Sequence, residues 1–376
     1  MELLFFVMAF GVVYSYAIYP LILKLTATRH QLQINASAEL PPLTLIITAH
    51  NEEKRLREKI ENSLAIDYPA DKIEIIVTSD CSTDATDSIA LEYAAKGVTL
   101  VRADQHLGKE YAQLCAIRQS RHEILVFSDV ATQIPADALR ILAGYFSDEK
   151  IGAVSSEDRF IADSGKVAGE GAYVKYEMWL RALESERAGL VGLSGSFFAA
   201  RKSICDEWDI KSPSDFNTAL NCAKAGLASV SSPDVLGYYK DLKNPQKEYD
   251  RKVRTVLRGI TALLRHTEVL DFKRFGLFAF QVFSHKLMRW AVPFCMLGTA
   301  LSSLALYGEG WLYTLAVWVQ LAFYGIAAWG WKSPAAQEKT AVRIVFFFVQ
   351  VNLAIAHAWL KYLTGTRMTV WTPSQR

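Results

Sequence analysis

Three short apolar runs, each stopping at a polar or acidic residue, constrain this chain more than anything else in it. LTLIITA runs into His50-Asn51-Glu52, IEIIVTS into Asp80, and EILVFS into Asp129. Helix-forming stretches at 52–64, 82–96, 109–120 and 136–146 alternate with such runs. Strand, helix, strand at this spacing predicts a right-handed parallel sheet with both faces covered. Neighbouring parallel strands would bring the terminating residues to one crevice at the carboxyl edge, where open α/β folds bind ligands. Carboxylates gathered there predict a bound cation.

Hydrophobic residues make up 51% of the 376, and the excess sits at the two ends. Residues 3–23 carry no charge, and about 20 apolar residues cross a bilayer core. Tyr14, Tyr16, Tyr19 and Pro20 lead straight into Leu21 and Lys24 without a small-residue cleavage site, so a retained transmembrane helix is expected at 1–25 rather than a secretory signal. Three more uncharged stretches, at 290–308, 310–331 and 344–360, predict about three spans within 290–362. FKRFGLFAFQVFSHKLMRW mixes Lys273, Arg274, Lys286 and Arg289 with Phe and Leu, and reads as an interfacial amphipathic helix over 270–290 or as the flank of the next span.

After the polar linker ATRHQLQINASAELPP, residues 40–265 are expected as a cytosolic domain. Its second part, 151–239, reads as less regular, with a helix over 169–187, the run GLSGSFFAAR and a capped helix SDFNTALNCAKAGL. A basic helix over 247–264 leads toward the membrane. Cys81, Cys115, Cys205, Cys222 and Cys295 show no disulfide or zinc pattern. A net charge of +2 gives no electrostatic footprint for nucleic acid. The basic residues beside the spans place the N-terminus outside and about 25–285 in the cytosol of a cell-membrane protein. Lys361, Arg367 and Arg376 in the tail oppose three full C-terminal crossings, so either the segment holding Asn352 and His357 stops short or the charge rule is outvoted.

Taken singly, the candidate residues have local explanations. Ser82, Thr83 and Asp84 are good helix caps, while Asp80 before them suits an N–H of a nucleobase. Asn51 and Glu52 read as a helix start or as base and ribose contacts. Lys109 is a solvated lysine or a cation aimed at phosphate. Asp129 is a cap, or a hard oxygen ligand for Mg²⁺ or Mn²⁺. Asp215 suits the positive end of its helix, or the role of a general base. Arg251, Arg254 and Arg258 share a helical face that suits a diphosphate or lipid headgroups.

Their order changes the reading. PPLTLIITAHNEE, IEIIVTSDCSTDAT, Gly108-Lys109, FSDVAT, GEGAYVKYEMWLRALES, GLSGSFFAAR, SDF and KEYDRKVRTVLRG together resemble the membrane-bound family 2 glycosyltransferases. The resemblance implies a GT-A-type mixed or parallel α/β sheet domain flanked by transmembrane and interfacial helices. It implies an inverting enzyme moving a sugar from a nucleotide-sugar, often a UDP-sugar, to a polysaccharide or lipid-linked acceptor. Asn51, Glu52, Asp80 and Lys109 would be nucleotide contacts, Asp129 the first acid of the metal motif, and Asp215 the base. Arg251 and Arg254 fall where processive members carry Gln-x-x-Arg-Trp. Ala131 stands at the motif's third position, Ser214 replaces the Glu before the base, and KEYDRKVRTVLRG lacks a Trp.

Two rivals stay open. One is transfer of a single sugar to polyprenyl phosphate or another lipid. The other, motivated by Ala131 and Ser214, is a nucleotide-sugar-binding but inactive partner of another synthase. The spans are compatible with plain tethering, or with a narrow channel completed by a second copy or a partner membrane protein. A transporter fits less well, since the three C-terminal uncharged stretches hold no acid or Arg as a coupling site.

Overall fold

The computed structural model describes residues 1–28, 39–161, 172–240 and 245–368. The centre of the expected linker, the start of the helix at 169–171 and the end of the tail with Arg376 lie outside the described residues. Two compact units emerge, one of Ala27–Lys243, Thr261–Ala279 and Met368–Arg376, the other of Met1–Thr26, Asn244–Ile260 and Phe280–Arg367.

In the first unit, seven strands among the described residues form one sheet. They are β1 (Leu43–Ala49), β2 (Ile73–Ser79), β3 (Val98–Arg102), β4 (Ile124–Asp129), β5 (Ile151–Ile161), β6 (Phe197–Arg201) and β7 (Ala228–Lys240), in spatial order β3-β2-β1-β4-β6-β5-β7. The three apolar runs are thus the adjacent parallel strands β2, β1 and β4. β6 runs antiparallel to both β4 and β5, which makes the sheet mixed. Both faces are covered: Leu45 and Ile47 join one core cluster while Ile46 joins another. In the second cluster Phe127 stacks on Phe198 and Trp208, with ring centroids 4.8 and 5.1 Å away.

The segment 151–239 is more regular than its sequence suggests, for it supplies three strands. Register shifts between Ile151 and Ala153 and between Ser155 and Glu157 break the alternation along β5. An extra residue of this kind erases the period-two signal.

The expected helices begin late. They span Leu56–Leu64, Thr86–Glu92, Lys109–Gln119 and Ala138–Tyr145. The chain first has to turn out of the strands, and both Asn51 (φ 53°) and Cys81 (φ 51°) take left-handed conformations to do so. The two exits then bind each other. Ser82 Oγ accepts the Asn51 N–H at 3.1 Å, Asn51 Oδ1 accepts the Thr83 N–H at 2.8 Å, and Asp84 accepts N–H groups from Glu53 and Thr86.

In the second unit, helices run over Glu2–Leu25, Leu277–Ala305, Trp311–Lys332 and Thr340–Leu363, each long and apolar enough to cross a membrane. Asn352 and His357 lie within the last of these, 24 residues long, rather than interrupting it. The segment expected as one interfacial helix is divided: Asp271 caps the short helix Phe272–Phe275, and from Leu277 onward the chain is helical through Lys286 and Arg289 to Ala305. The first two long helices each contain a π turn, Tyr14–Ile18 and Phe283–Leu287, and the Tyr14 hydroxyl lies 2.9 Å from Ser284 Oγ. They approach through small residues, since a Cβ added at Gly298 would fall 2.8 Å from Met8 Cγ. Arg289 is buried, its guanidinium 4.9 Å from the centroid of Tyr16.

Lys59 is buried in the helix Leu56–Leu64, where it donates to Ser128 Oγ at 2.8 Å and Thr132 O at 2.6 Å. Burial pushes its ammonium down to about 7, against the upward pull of Asp129. An unfolded lysine titrates near about 10.4, so between these values the unfolded chain binds more protons and stability rises with pH. Lys59→Met should remove that rise. The thermal midpoint of wild type minus that of the variant is expected to be larger at pH 9.5 than at pH 7, read by parallel melts.

Candidate active site

Strand register places Thr48 beside Asp129 and Ala49 beside Ser79, and the Asp80 N–H donates to Ala49 O at 2.9 Å. Asp80 and Asp129 therefore flank the exit of β1, about two strand spacings or roughly 10 Å apart along the sheet edge. Asp80 is buried, and its Oδ1 accepts the Gly108 N–H at 3.2 Å. Its Oδ2 lies 2.9 Å from His106 Nδ1. His50 reaches the Asp80 carbonyl at 2.6 Å and stacks on His106 with centroids 4.5 Å apart. Ligand atoms of His50, Asp80 and His106 lie within 4.8 Å of one another.

The residue after Gly108 serves the other carboxylate. Lys109 Nζ donates to Asp129 Oδ1 at 2.5 Å and to Gly195 O at 2.8 Å. Two consecutive residues at the start of the helix Lys109–Gln119 thus hold Asp80 and Asp129 at once. Gly195 faces the third acid: a Cβ built there would meet Asp215 Oδ2 at 3.3 Å. Asp215 sits in the first turn of the helix Ser214–Lys224, where the helix dipole favours an anion. Asp129, Lys109, Gly195 and Asp215 therefore form a continuous series of contacts, with Asp80 tied in through Gly108.

The other sequence candidates are placed differently. Asn51 spends its side-chain oxygen on the Thr83 N–H. Glu52 is held by Arg55 through two bonds of 2.8 and 2.7 Å, and burial raises its carboxyl above the ordinary range against that pull. Arg251 and Arg254 belong to the helical unit, on the helix Pro245–Arg265, where Arg251 donates to Glu248 at 2.9 and 3.0 Å.

Sequence reasoning missed His50, Lys59, His106 and Asp158. Asp158 Oδ1 accepts the Ser194 and Ser196 hydroxyls, and burial raises its carboxyl while those serines and Arg181 lower it. A cavity of about 840 Å³ lined by Arg121, Arg140 and Arg201 is set apart from these acids, near Ile124 at the amino end of β4. Its guanidinium groups are committed to Glu74, Asp67 and the carbonyls of Ile151, Phe146 and Asp148.

A mixed sheet with acids gathered at the carboxyl edge of its parallel strands is the arrangement of a GT-A glycosyltransferase. Residues 44–208 match the model of glycosyl transferase family 2, and the chain carries a family 2 glycosyltransferase domain. It is 25% identical over 171 residues to a beta-monoglucosyldiacylglycerol synthase of Synechocystis, covering 44% of this chain and 36% of that one. It is also 25% identical over 175 residues to a poly-beta-1,6-N-acetyl-D-glucosamine synthase of Staphylococcus epidermidis, covering 44% and 42%. The matched regions span less than half the length of these relatives. The fold is also that of the mannosyltransferase PcManGT from Pyrobaculum calidifontis, solved with GDP-Man and Mn²⁺. The TM-score is 0.74 at 20% identity, over 96% of this chain and 98% of that one.

The close approach at Gly195 is directly testable. Gly195→Ala should displace the Asp215 carboxylate by a few tenths of an ångström, and misplacement on that scale slows an enzyme by about 10- to 100-fold. A transfer rate near wild type, in a variant whose melting midpoint is unchanged, would show that the contact is slack.

Proposed function

We propose that this chain transfers a sugar from a nucleotide-sugar, with UDP-sugars the first candidates, to a polysaccharide or lipid-linked acceptor at a membrane. The observation that carries the reading is the Lys109 tie, which sets Asp129 and Asp215 on either side of Gly195. The acceptor hydroxyl gives its proton to Asp215 and attacks C1 of the donor, and the configuration at C1 inverts as the C1–O bond to the diphosphate breaks. Asp80 accepts an N–H from the base, with Asn51 and Glu52 beside the nucleoside. Lys109, Arg251 and Arg254 offset the charge of the departing diphosphate.

Asp129 fits a divalent ion, Mg²⁺ or Mn²⁺: its side chain is 26% exposed, and such ions are held by one or two carboxylates plus substrate phosphates. Ala131 contributes no ligand, so the donor's own phosphates complete the set. An ion bound there supplies charge stabilisation for the leaving diphosphate.

The four apolar helices support a location in the cell membrane, with the basic flanks favouring a cytosolic catalytic domain. A bilayer surface favours an acceptor held there over a freely diffusing one. The two relatives are named for a glycolipid and for a polymer, so product size is the discriminating measurement. Membranes incubated with labelled UDP-, GDP- and dTDP-sugars should yield product from one donor class. One sugar per lipid would favour single transfer, and no transfer from any donor would favour an inactive partner subunit.

Asp215→Asn should lower turnover by about 10²- to 10⁴-fold, the usual worth of a placed base, while leaving nucleotide affinity intact. Wild-type turnover in that variant would remove Asp215 from the role.

A further inference from the structure

The Ser194-Gly195-Ser196 turn stands between the two reacting ends of the site, and it is fastened from several directions. Gly195 O accepts Lys109, and Ser196 O accepts the Asp129 N–H at 2.9 Å. The Ser194 N–H donates to Ser155 Oγ at 2.7 Å, and the same oxygen takes Arg181 Nη2 at 2.8 Å. The remaining fastening is a carboxylate that the proposed reaction does not use. Asp158 lies on β5, one strand beyond β6 as seen from Asp129 on β4. Its Oδ1 accepts Ser194 Oγ at 2.7 Å and Ser196 Oγ at 2.5 Å, and its Oδ2 accepts Ser194 Oγ at 2.7 Å.

A carboxylate is an expensive way to hold two serines. Burial raises Asp158 above its ordinary value, and the like charge of Asp129 adds to that rise. Hydrogen bonds to a charged acceptor are correspondingly stronger than neutral ones, and two donors converging on one group leave the backbone between them little freedom. The backbone between them is Gly195, whose Cα faces Asp215.

We propose that Asp158 is a positioning residue: by gripping the hydroxyls of Ser194 and Ser196 it fixes the turn against which Asp215 rests, and so sets the general base relative to Asp129. The inference rests on the reading of Asp215 as that base. It also separates two functions of charge at the site, since Asp158 acts through hydrogen bonds whereas Asp129 faces the donor phosphates.

Asparagine tells these apart. It has nearly the shape of Asp, accepts one serine hydroxyl through Oδ1, and offers Nδ2 to the oxygen of the other. Full-length protein in detergent would be compared as wild type, Asp158→Asn, Asp158→Ala and Ser196→Ala. In Asp158→Ala, kcat should fall by about 100-fold, with donor KM and the affinities for UDP and GDP in the presence of Mn²⁺ within about twofold of wild type. Asp158→Asn should recover kcat to within about fivefold of wild type, and Ser196→Ala, which keeps the carboxylate, should lose about tenfold. Amide hydrogen exchange over residues 194–196 should quicken in Asp158→Ala and Ser196→Ala and stay slow in Asp158→Asn.

An Asp158→Asn as slow as Asp158→Ala, or loss of Mn²⁺-dependent nucleotide binding in either, would make Asp158 a charge or metal contact and overturn the proposal. Unchanged exchange in Asp158→Ala would overturn it as well. If wild type transfers no sugar at all, the reading of the function fails, and the exchange measurement still decides whether Asp158 holds the turn. If Asp158→Ala does not fold, Ser196→Ala and Asp158→Asn decide it in the same way.

Discussion

One ammonium group holds the catalytic edge together. Lys109 Nζ lies between a carboxylate at the end of β4 and a main-chain carbonyl just before β6, with only 8% of its side chain exposed. In that setting the charge is poorly screened, and a partner removed is not replaced by water at little cost. The residue before it reaches Asp80 through its amide, so a single helix start indexes both strands that flank β1. The relative placement of Asp80, Asp129, Gly195 and Asp215 depends on this junction rather than on the sheet alone.

The parallel part of the fold was legible because strands covered on both faces must be continuously apolar. β1, β2 and β4 announce themselves in this way, and their terminal residues follow from the topology. β5 was not legible, since its bulges break alternation, and β3 was not, since Thr99 and Arg102 on its five residues are largely outside the core. Once β6 is inserted antiparallel, the GLSGS run becomes the loop that meets β4, a position that no local pattern could give. Asp80, Lys109, Asp129 and Asp215 could be named from the sequence because each occurs at a strand end or helix start.

The missed residues share a physical reason. In LREKIENSL nothing distinguishes the buried Lys59 from a solvated lysine, because the face it occupies is decided by the docking of the helix on β4. Glu52 looked available, yet Arg55 one turn later takes both of its oxygens, a choice of side-chain direction that spacing leaves open. Asp158 sits beyond a bulge, where counting residues along the strand no longer says which side a carboxylate faces. His50 and His106 are 56 positions apart and meet only because β1 and β2 are adjacent.

The paired π turns in the helical unit have a consequence for how such a chain can change over time. Each widened turn accommodates one residue more than a regular helix needs, and the Tyr14 to Ser284 contact joins the two at that level. Deleting a single residue from either would restore ordinary winding and swing everything beyond it by about 100° around the helix axis. Arg289 would then leave the ring of Tyr16 and present its guanidinium to a different neighbour. Such helices tolerate substitution far better than they tolerate loss of length, and the two extra residues can be given up only together, if at all.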